Sequence, residues 1–228
     1  MLSGCVLLTG ANCGIGLECA KALCAAGSKC DLTITVRDDQ KGKDTVELLR
    51  SINPECLVTY YVMDLADHDS IRKFVDAFLA SGKQLNVLIN NAGLGSFQNK
   101  ARKTVPGSPN MELTMAVNCI GPFLLTSLLL DLLQRSAQTH GDGNPSRVVN
   151  VTSGLSARPT QFYIDDIMLE KPGNYKDGMQ AYACSKIGMN LWTKELASRV
   201  DGSIVTINAL CPGFIPDTSL GRDVSGFV

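Results

Sequence analysis

Histidine is nearly absent from this sequence: only His68 and His140 occur. A His-dependent triad or a histidine-rich zinc site would have to be built from that pair. Both stand in polar, loop-like or helix-start settings, so neither chemistry is expected. Excess charge is absent as well. The 21 Lys/Arg nearly balance 22 Asp/Glu, for a formal net charge of −1, which leaves no electrostatic footprint for nucleic acid or an anionic membrane. The longest greasy stretch, Phe123 to Leu133, is interrupted by Thr126, Ser127 and Asp131 and is too short to span a bilayer, so no transmembrane segment is expected. No basic leader with a small-residue cleavage site opens the chain. The nine cysteines are an odd number, contain no Cys-x-x-Cys pair and show no metal-ligand spacing. Most lie in apolar runs where a free thiol packs as a small hydrophobe, which points to a reducing, cytoplasmic compartment.

What is present is 228 residues, 45% hydrophobic and 19% charged, enough for a substantial core in one domain and too apolar for a disordered chain. Short runs rich in β-branched residues recur at 5–9, 31–36, 57–62, 86–90, 147–151 and 203–208. Such runs are strand candidates buried on both faces. Helical periodicity fills 14–26, 41–51, 69–80, 111–135 and 179–199, while 94–110, 139–146 and 153–178 are irregular. Strand and helix in alternation imply right-handed βαβ crossovers. The expected fold is α/β, a three-layer doubly wound parallel sheet of the Rossmann type, as a single domain over 1–228. Ligands then belong outside the carboxyl ends of the strands, where the strand order reverses.

The first strand runs into Thr9-Gly10-Ala-Asn12-Cys13-Gly14-Ile15-Gly16 and then into a helix. Glycines there permit a sharp turn and close backbone approach, and the helix N-terminus offers N–H groups and partial positive charge to a pyrophosphate. Arg37 and Asp38 come after the second strand and give a mixed signal. A cation there suits the 2′-phosphate of NADP(H), an acid suits the ribose of NAD(H), and a solvated pair at a helix start needs neither. Arg37 tips the reading to NADP(H). Asp64, followed by Leu65 after the third strand, either meets the adenine edge or caps the next helix.

The fifth strand delivers Ser153, and Tyr182 and Lys186 stand four residues apart in a helical pattern, on one face. A free tyrosine is only about 0.1% phenolate at neutral pH, and an adjacent ammonium favours the phenolate. A tyrosine tuned in this way can serve as a general acid or base.

Taken together, Thr-Gly-x-x-x-Gly-x-Gly at 9–16, Asn90-Asn91-Ala92-Gly93, Val117-Asn118, Ser153, Tyr-x-x-x-Lys at 182–186 and Pro212-Gly213 resemble the short-chain dehydrogenase/reductase family, in its order and over nearly the whole chain. The segments from Arg37 and Gly121 resemble the branch of retinol dehydrogenases and protochlorophyllide-reductase-like proteins. The resemblance implies a strand order 3-2-1-4-5-6 and an NADP-dependent oxidoreductase acting on a carbonyl or alcohol. It implies that Tyr182 exchanges a proton with the substrate oxygen and that Ser153 holds that oxygen. Lys186 would bind the nicotinamide ribose and lower the tyrosine pKa, while Asn118 would hold a relay water or pin a helix bend. It implies cofactor contacts from the glycine turn, Arg37, Asp64, Leu65, Asn91, Ala92, Gly93 and Pro212-Gly213 through Thr218. Cys13 stands where NADP-preferring relatives often carry a basic residue, so Arg37 alone argues for the phosphate.

Substrate choice is expected from 94–110, from 155–178 and from the residues after Gly213. Apolar Leu94, Phe97, Phe162, Tyr163, Ile164 and Met168 suggest a small, fairly hydrophobic substrate, unless they simply pack the loops down. A carbon–carbon double-bond reductase and a catalytically silent NADP(H) sensor stay open beside the carbonyl reductase, and so does homo-oligomerisation. About fifteen residues stand beyond the Pro-Gly turn. Family members usually run on into a seventh strand and a substrate-covering segment, so both are expected to be missing.

Overall fold

The structure, a computed structural model, describes residues 4–26, 30–139, 143–158, 161–213, 215 and 220. His140 and Thr218 lie outside these residues. In chain order the elements are β1 (Gly4–Thr9), α1 (Gly14–Ala25), β2 (Cys30–Val36), α2 (Asp39–Ile52), β3 (Leu57–Val62), α3 (His68–Ala80) and β4 (Val87–Asn90). Next come β5 (Thr104–Val105), β6 (Ser108–Glu112), α4 (Leu113–Met115), a π turn (Ala116–Ile120), α5 (Gly121–Thr139) and β7 (Ser146–Val151). A 3₁₀ turn (Gly154–Ala157), α6 (Gly178–Arg199) and β8 (Val205–Leu210) complete the described chain.

The main sheet is wholly parallel and runs β3-β2-β1-β4-β7-β8. With the separate β5–β6 hairpin set aside, this is the expected 3-2-1-4-5-6. Strand pleating divides the core in two. Val6, Leu8, Leu32 and Ile34 face one way and pack under α1 and α2, whose Ala20, Val46 and Leu49 complete that layer. Cys5, Leu7, Leu88 and Val148 face the other way, against Phe74 and Phe78 of α3 and Leu125, Leu129 and Leu133 of α5. Fully burying each such side chain stabilises by about 1.5–3 kcal/mol. Aspartates start three of the helices. Asp38 accepts from Lys41 N at 2.9 Å, Asp67 from Asp69 N at 2.9 Å, and Asp177 from Gln180 N at 2.9 Å. Each cap contributes about 1 kcal/mol.

Several expectations need correction. The stretch 94–110 contains part of a hairpin, and Met111 and Glu112 belong to its second strand rather than to a helix. The last strand is shifted two residues toward the C-terminus, because Asp201 folds Ser203 into a turn, accepting from its N–H at 2.8 Å. Part of 153–178 is a 3₁₀ turn. Not all cysteines are free: Cys24 and Cys56 form a disulfide, with Cα atoms 5.5 Å apart. The sheet order brings the end of α1 beside the turn before β3, where Asn53 Nδ2 also donates to Cys24 O at 2.8 Å. That bond removes the support the cysteines lent to a reducing compartment. Phe162 and Met168 pack on Met115, Cys119 and Cys184, so loop packing accounts for these two.

From Leu113 to Thr139 the chain forms a 27-residue rod, the one helix among the described residues long and apolar enough to cross a membrane. Its Leu125, Leu129 and Leu133 are fully buried against the sheet, as in a core helix.

Candidate active site

A cavity of about 510 Å³ opens over the carboxyl ends of the strands and takes in residues after β1, β2, β3, β4 and β7. The strand order reverses between β1 and β4, and two short side chains stitch the chain ends there to each other's backbone. The Thr9 hydroxyl accepts from the N–H groups of Asn91 and Ala92, both at 3.0 Å. Asn91 Nδ2 donates to the carbonyls of Thr9 at 2.9 Å and Gly10 at 3.2 Å. Gly10 (φ +67°) and Gly14 (φ +54°) occupy the left-handed region that favours glycine. A Cβ on Gly16 would collide with the Gly10 carbonyl oxygen and Asn91 Nδ2. No acidic residue occupies the first turn of α1, so its positive N-terminal end faces the cavity uncompensated.

The mixed signal after β2 separates into two tasks. Arg37 is exposed and lines the cavity, while Asp38 is turned away to cap α2. Asp64 and Leu65 line the cavity as expected, and the Asp64 carboxylate accepts from Ala66 N at 2.8 Å. The cap of α3 is Asp67, so the capping alternative for Asp64 does not hold.

Tyr182 and Lys186 meet the same cavity from α6. Tyr182 is 4% exposed, with the Phe97 ring edge-on to it at 5.0 Å. Lys186 is 3% exposed; its Nζ donates to the Val151 carbonyl at 2.8 Å and lies 5.7 Å from the Tyr182 ring centroid. Burial pulls the Lys186 ammonium down to about 8, against an upward pull from Cys119. The expected lowering of the tyrosine pKa is not what this geometry produces. Burial raises it above the ordinary tyrosine value, a hydrogen bond with Ser153 opposes the rise, and Cys211 adds to it. The ammonium is engaged by the Val151 carbonyl, and desolvation of the phenolate prevails.

Asn118 and Ser153 stand outside the cavity wall, as does Gly213. Asn118 is fully buried in the π turn, accepts from Leu94 N and donates to Leu94 O, both at 2.9 Å, and donates to Ser185 Oγ at 3.1 Å. Its side chain therefore pins the loop after β4. Ser153 caps the 3₁₀ turn, accepting from Leu155 N at 3.3 Å. The wall also includes Thr35, Val36, Met63, Gly95, Val151 and Thr152, which motif reading missed. Each stands at or just after a strand end, so the carboxyl-end rule was the signal that would have found them.

Parallel sheet, crossover helices and a cavity at the reversal define a doubly wound protein of the Rossmann type. A family model described as short chain dehydrogenase matches residues 4–164 and 173–226, and the chain belongs to that family. Its curated relatives place it on the retinol dehydrogenase branch. Human retinol dehydrogenase 12 is 40% identical over 210 residues, covering 92% of this chain and 61% of that protein. Human retinol dehydrogenase 13 is 35% identical over 218 residues, covering 95% and 60%. The chain thus spans about three-fifths of the length of these relatives. Among solved structures, an active-site complex of Pseudomonas aeruginosa RhlG with NADP superposes with a TM-score of 0.75 at 26% identity, covering 97% of this chain and 76% of that one. The NADPH-bound carbonyl reductase from chicken fatty liver does so with a TM-score of 0.73 at 26% identity, covering 97% and 79%.

The residues present suit a dinucleotide on their own evidence. Gly16 lets the first turn of α1 close onto the Gly10 carbonyl and the Asn91 amide, the α1 N-terminus supplies N–H donors, and Arg37 provides a cation at the far edge.

Proposed function

We propose that this chain is an oxidoreductase that uses NADP(H) to interconvert a carbonyl and an alcohol on a small, fairly hydrophobic substrate. The observation that carries this reading is that Tyr182, Lys186 and the glycine turn share one cavity. Arg37 supports NADP(H) over NAD(H), and the NADP and NADPH complexes among the structural relatives agree with it. When bound, the reduced nicotinamide supplies hydride to the carbonyl carbon.

The chain's own residues do the rest. Tyr182 gives its phenolic proton to the carbonyl oxygen, and Ser153, which hydrogen-bonds the phenol, keeps that oxygen beside it. Lys186 holds the ribose hydroxyls. Asn118 acts at one remove, by fixing Leu94 on the cavity wall. Burial raises the Tyr182 pKa and so favours the protonated phenol, the form that donates to a carbonyl oxygen.

The test is NADPH and NADH oxidation against a panel of carbonyls and activated alkenes. Turnover with NADPH and a carbonyl is expected, falling at least about 100-fold in Tyr182→Phe while NADPH affinity stays within threefold. Turnover untouched by that substitution would overturn the tyrosine's role. Cofactor binding with no turnover on any substrate would favour the sensor. As the pH rises through about 8, NADPH affinity should fall, because Lys186 then loses its charge.

A further inference from the structure

Seven side-chain nitrogen or oxygen atoms among the described residues are buried without a hydrogen-bond partner, and only one of them, Thr152 Oγ1, belongs to a residue of the cavity wall. Thr152 is 8% exposed. An unpaired buried hydroxyl is destabilising, whereas valine in the same space carries no such cost. Its backbone is clamped, since the Thr152 N–H donates to the Leu210 carbonyl at 2.8 Å, so the hydroxyl cannot escape by a shift of the strand.

The position of Thr152 says what it faces. Arg37, Gly10, Ala92 and Thr152 come after β2, β1, β4 and β7, which are neighbours in that order across the sheet. A dinucleotide laid over the strand ends with its 2′-phosphate at Arg37 and its pyrophosphate at the α1 N-terminus brings its nicotinamide half over β7. That site is two strands, about 10 Å, beyond the glycine turn. The backbone stays extended through Ser153 (φ −154°, ψ 148°), so adjacent side chains point to opposite faces. Ser153 is directed to the Tyr182 phenol, and Thr152 is directed elsewhere.

We propose that Thr152 is a cofactor-binding residue whose hydroxyl hydrogen-bonds the nicotinamide half of the dinucleotide, at its carboxamide or ribose. The proposal rests on the reading of the cavity as an NADP(H) site. Ser153 and Thr152 then divide two tasks between consecutive residues, the first holding the substrate oxygen and the second the cofactor.

Thr152→Val, Thr152→Ser and the wild-type chain are compared for NADPH affinity, for affinity to the adenosine bisphosphate half-molecule that lacks nicotinamide, and for melting temperature without ligand. The valine variant is expected to bind NADPH roughly tenfold more weakly, to bind the half-molecule unchanged, and to melt at the same or a higher temperature because the unpaired hydroxyl is gone. The serine variant should keep NADPH affinity within threefold. Undiminished NADPH binding by the valine variant would overturn the assignment. Equal loss of both ligands, or a lower melting temperature, would also overturn it, since either marks a structural role. Failure of the wild-type chain to bind either ligand would instead overturn the NADP(H) reading, and this proposal with it.

Discussion

The nucleotide side of the cavity is held together by glycines and two short neutral side chains bonded to backbone, whereas the segments on the tyrosine side are held by buried and half-buried charged side chains. Between β1 and β4 the contacts are carbonyls, N–H groups and glycines, with Thr9 and Asn91 as short staples. In residues 99–112 and 161–178 the organisers are charged side chains, of which Arg102 reaches across the chain to Met168. Arg102 donates to the carbonyls of Met168 at 2.8 Å, Pro109 at 2.9 Å and Asn110 at 2.9 Å. Asp166 accepts from Glu170 N at 2.8 Å, Lys171 N at 3.0 Å and Asn174 Nδ2 at 2.7 Å. Glu112, 2% exposed, accepts from Met115 N at 2.6 Å. A site built from glycines and two short staples tolerates change at few positions, and each of those is decisive. A side-chain-built lobe can be loosened piecemeal without the nucleotide side noticing.

Three perturbations set this contrast at risk. The largest effect is expected from Gly16→Ala, because the new methyl meets the Gly10 carbonyl and the Asn91 amide together. NADPH affinity should fall at least about 100-fold, measured by fluorescence titration. Retained affinity would mean that the turn yields more easily than its backbone contacts indicate. Arg102→Met comes next: three carbonyls lose their donor, at a cost of about 2 kcal/mol. Limited proteolysis should then open 161–178 while NADPH affinity stays within threefold, and a matching loss of affinity would erase the distinction between the two sides. The smallest effect is an acid response at Asp166. Burial pushes its carboxyl up, but hydrogen bonds from Glu170, Asn174 and Lys171 outweigh this and hold it below the usual aspartate value. Its stabilisation is therefore present above the unfolded carboxylate pKa, about 3.9, and is lost as pH falls through the lower folded value. Hydrogen exchange in 166–174 should accelerate there in the wild type, and Asp166→Asn should flatten that dependence.

The same contrast explains what the amino-acid sequence discloses. The glycine turn, Arg37, Asp64, Asn91 and the Tyr182–Lys186 pair are local patterns, and the cavity gathers all of them. The parallel sheet is legible from the alternation of strand and helix, whereas the strand order was implied only by the family resemblance. Arg102 meeting Met168 across 66 residues, or Cys24 meeting Cys56 across 32, has no local signature, because only the finished topology brings those partners together. The raised Tyr182 pKa was hidden for a related reason. Spacing showed the lysine nearby, but not that the Val151 carbonyl would engage it or that burial would dominate. Thr152 escaped notice because a lone threonine carries no pattern until its lack of a partner is seen.

The long rod from Leu113 to Thr139 also works as a ruler. At one end Asn118 grips the Leu94 backbone on the cavity wall, and at the other Ser136 accepts from Leu85 N at 2.8 Å, just before the amino end of β4. Eighteen residues, about 27 Å of helix, separate the two grips. Inserting or deleting one residue between them would turn one grip about 100° relative to the other, even in the leucine run at 128–130. The height of the cavity wall is thus measured from the far side of the molecule, and chain length inside that helix is as constrained as any residue that touches the ligand.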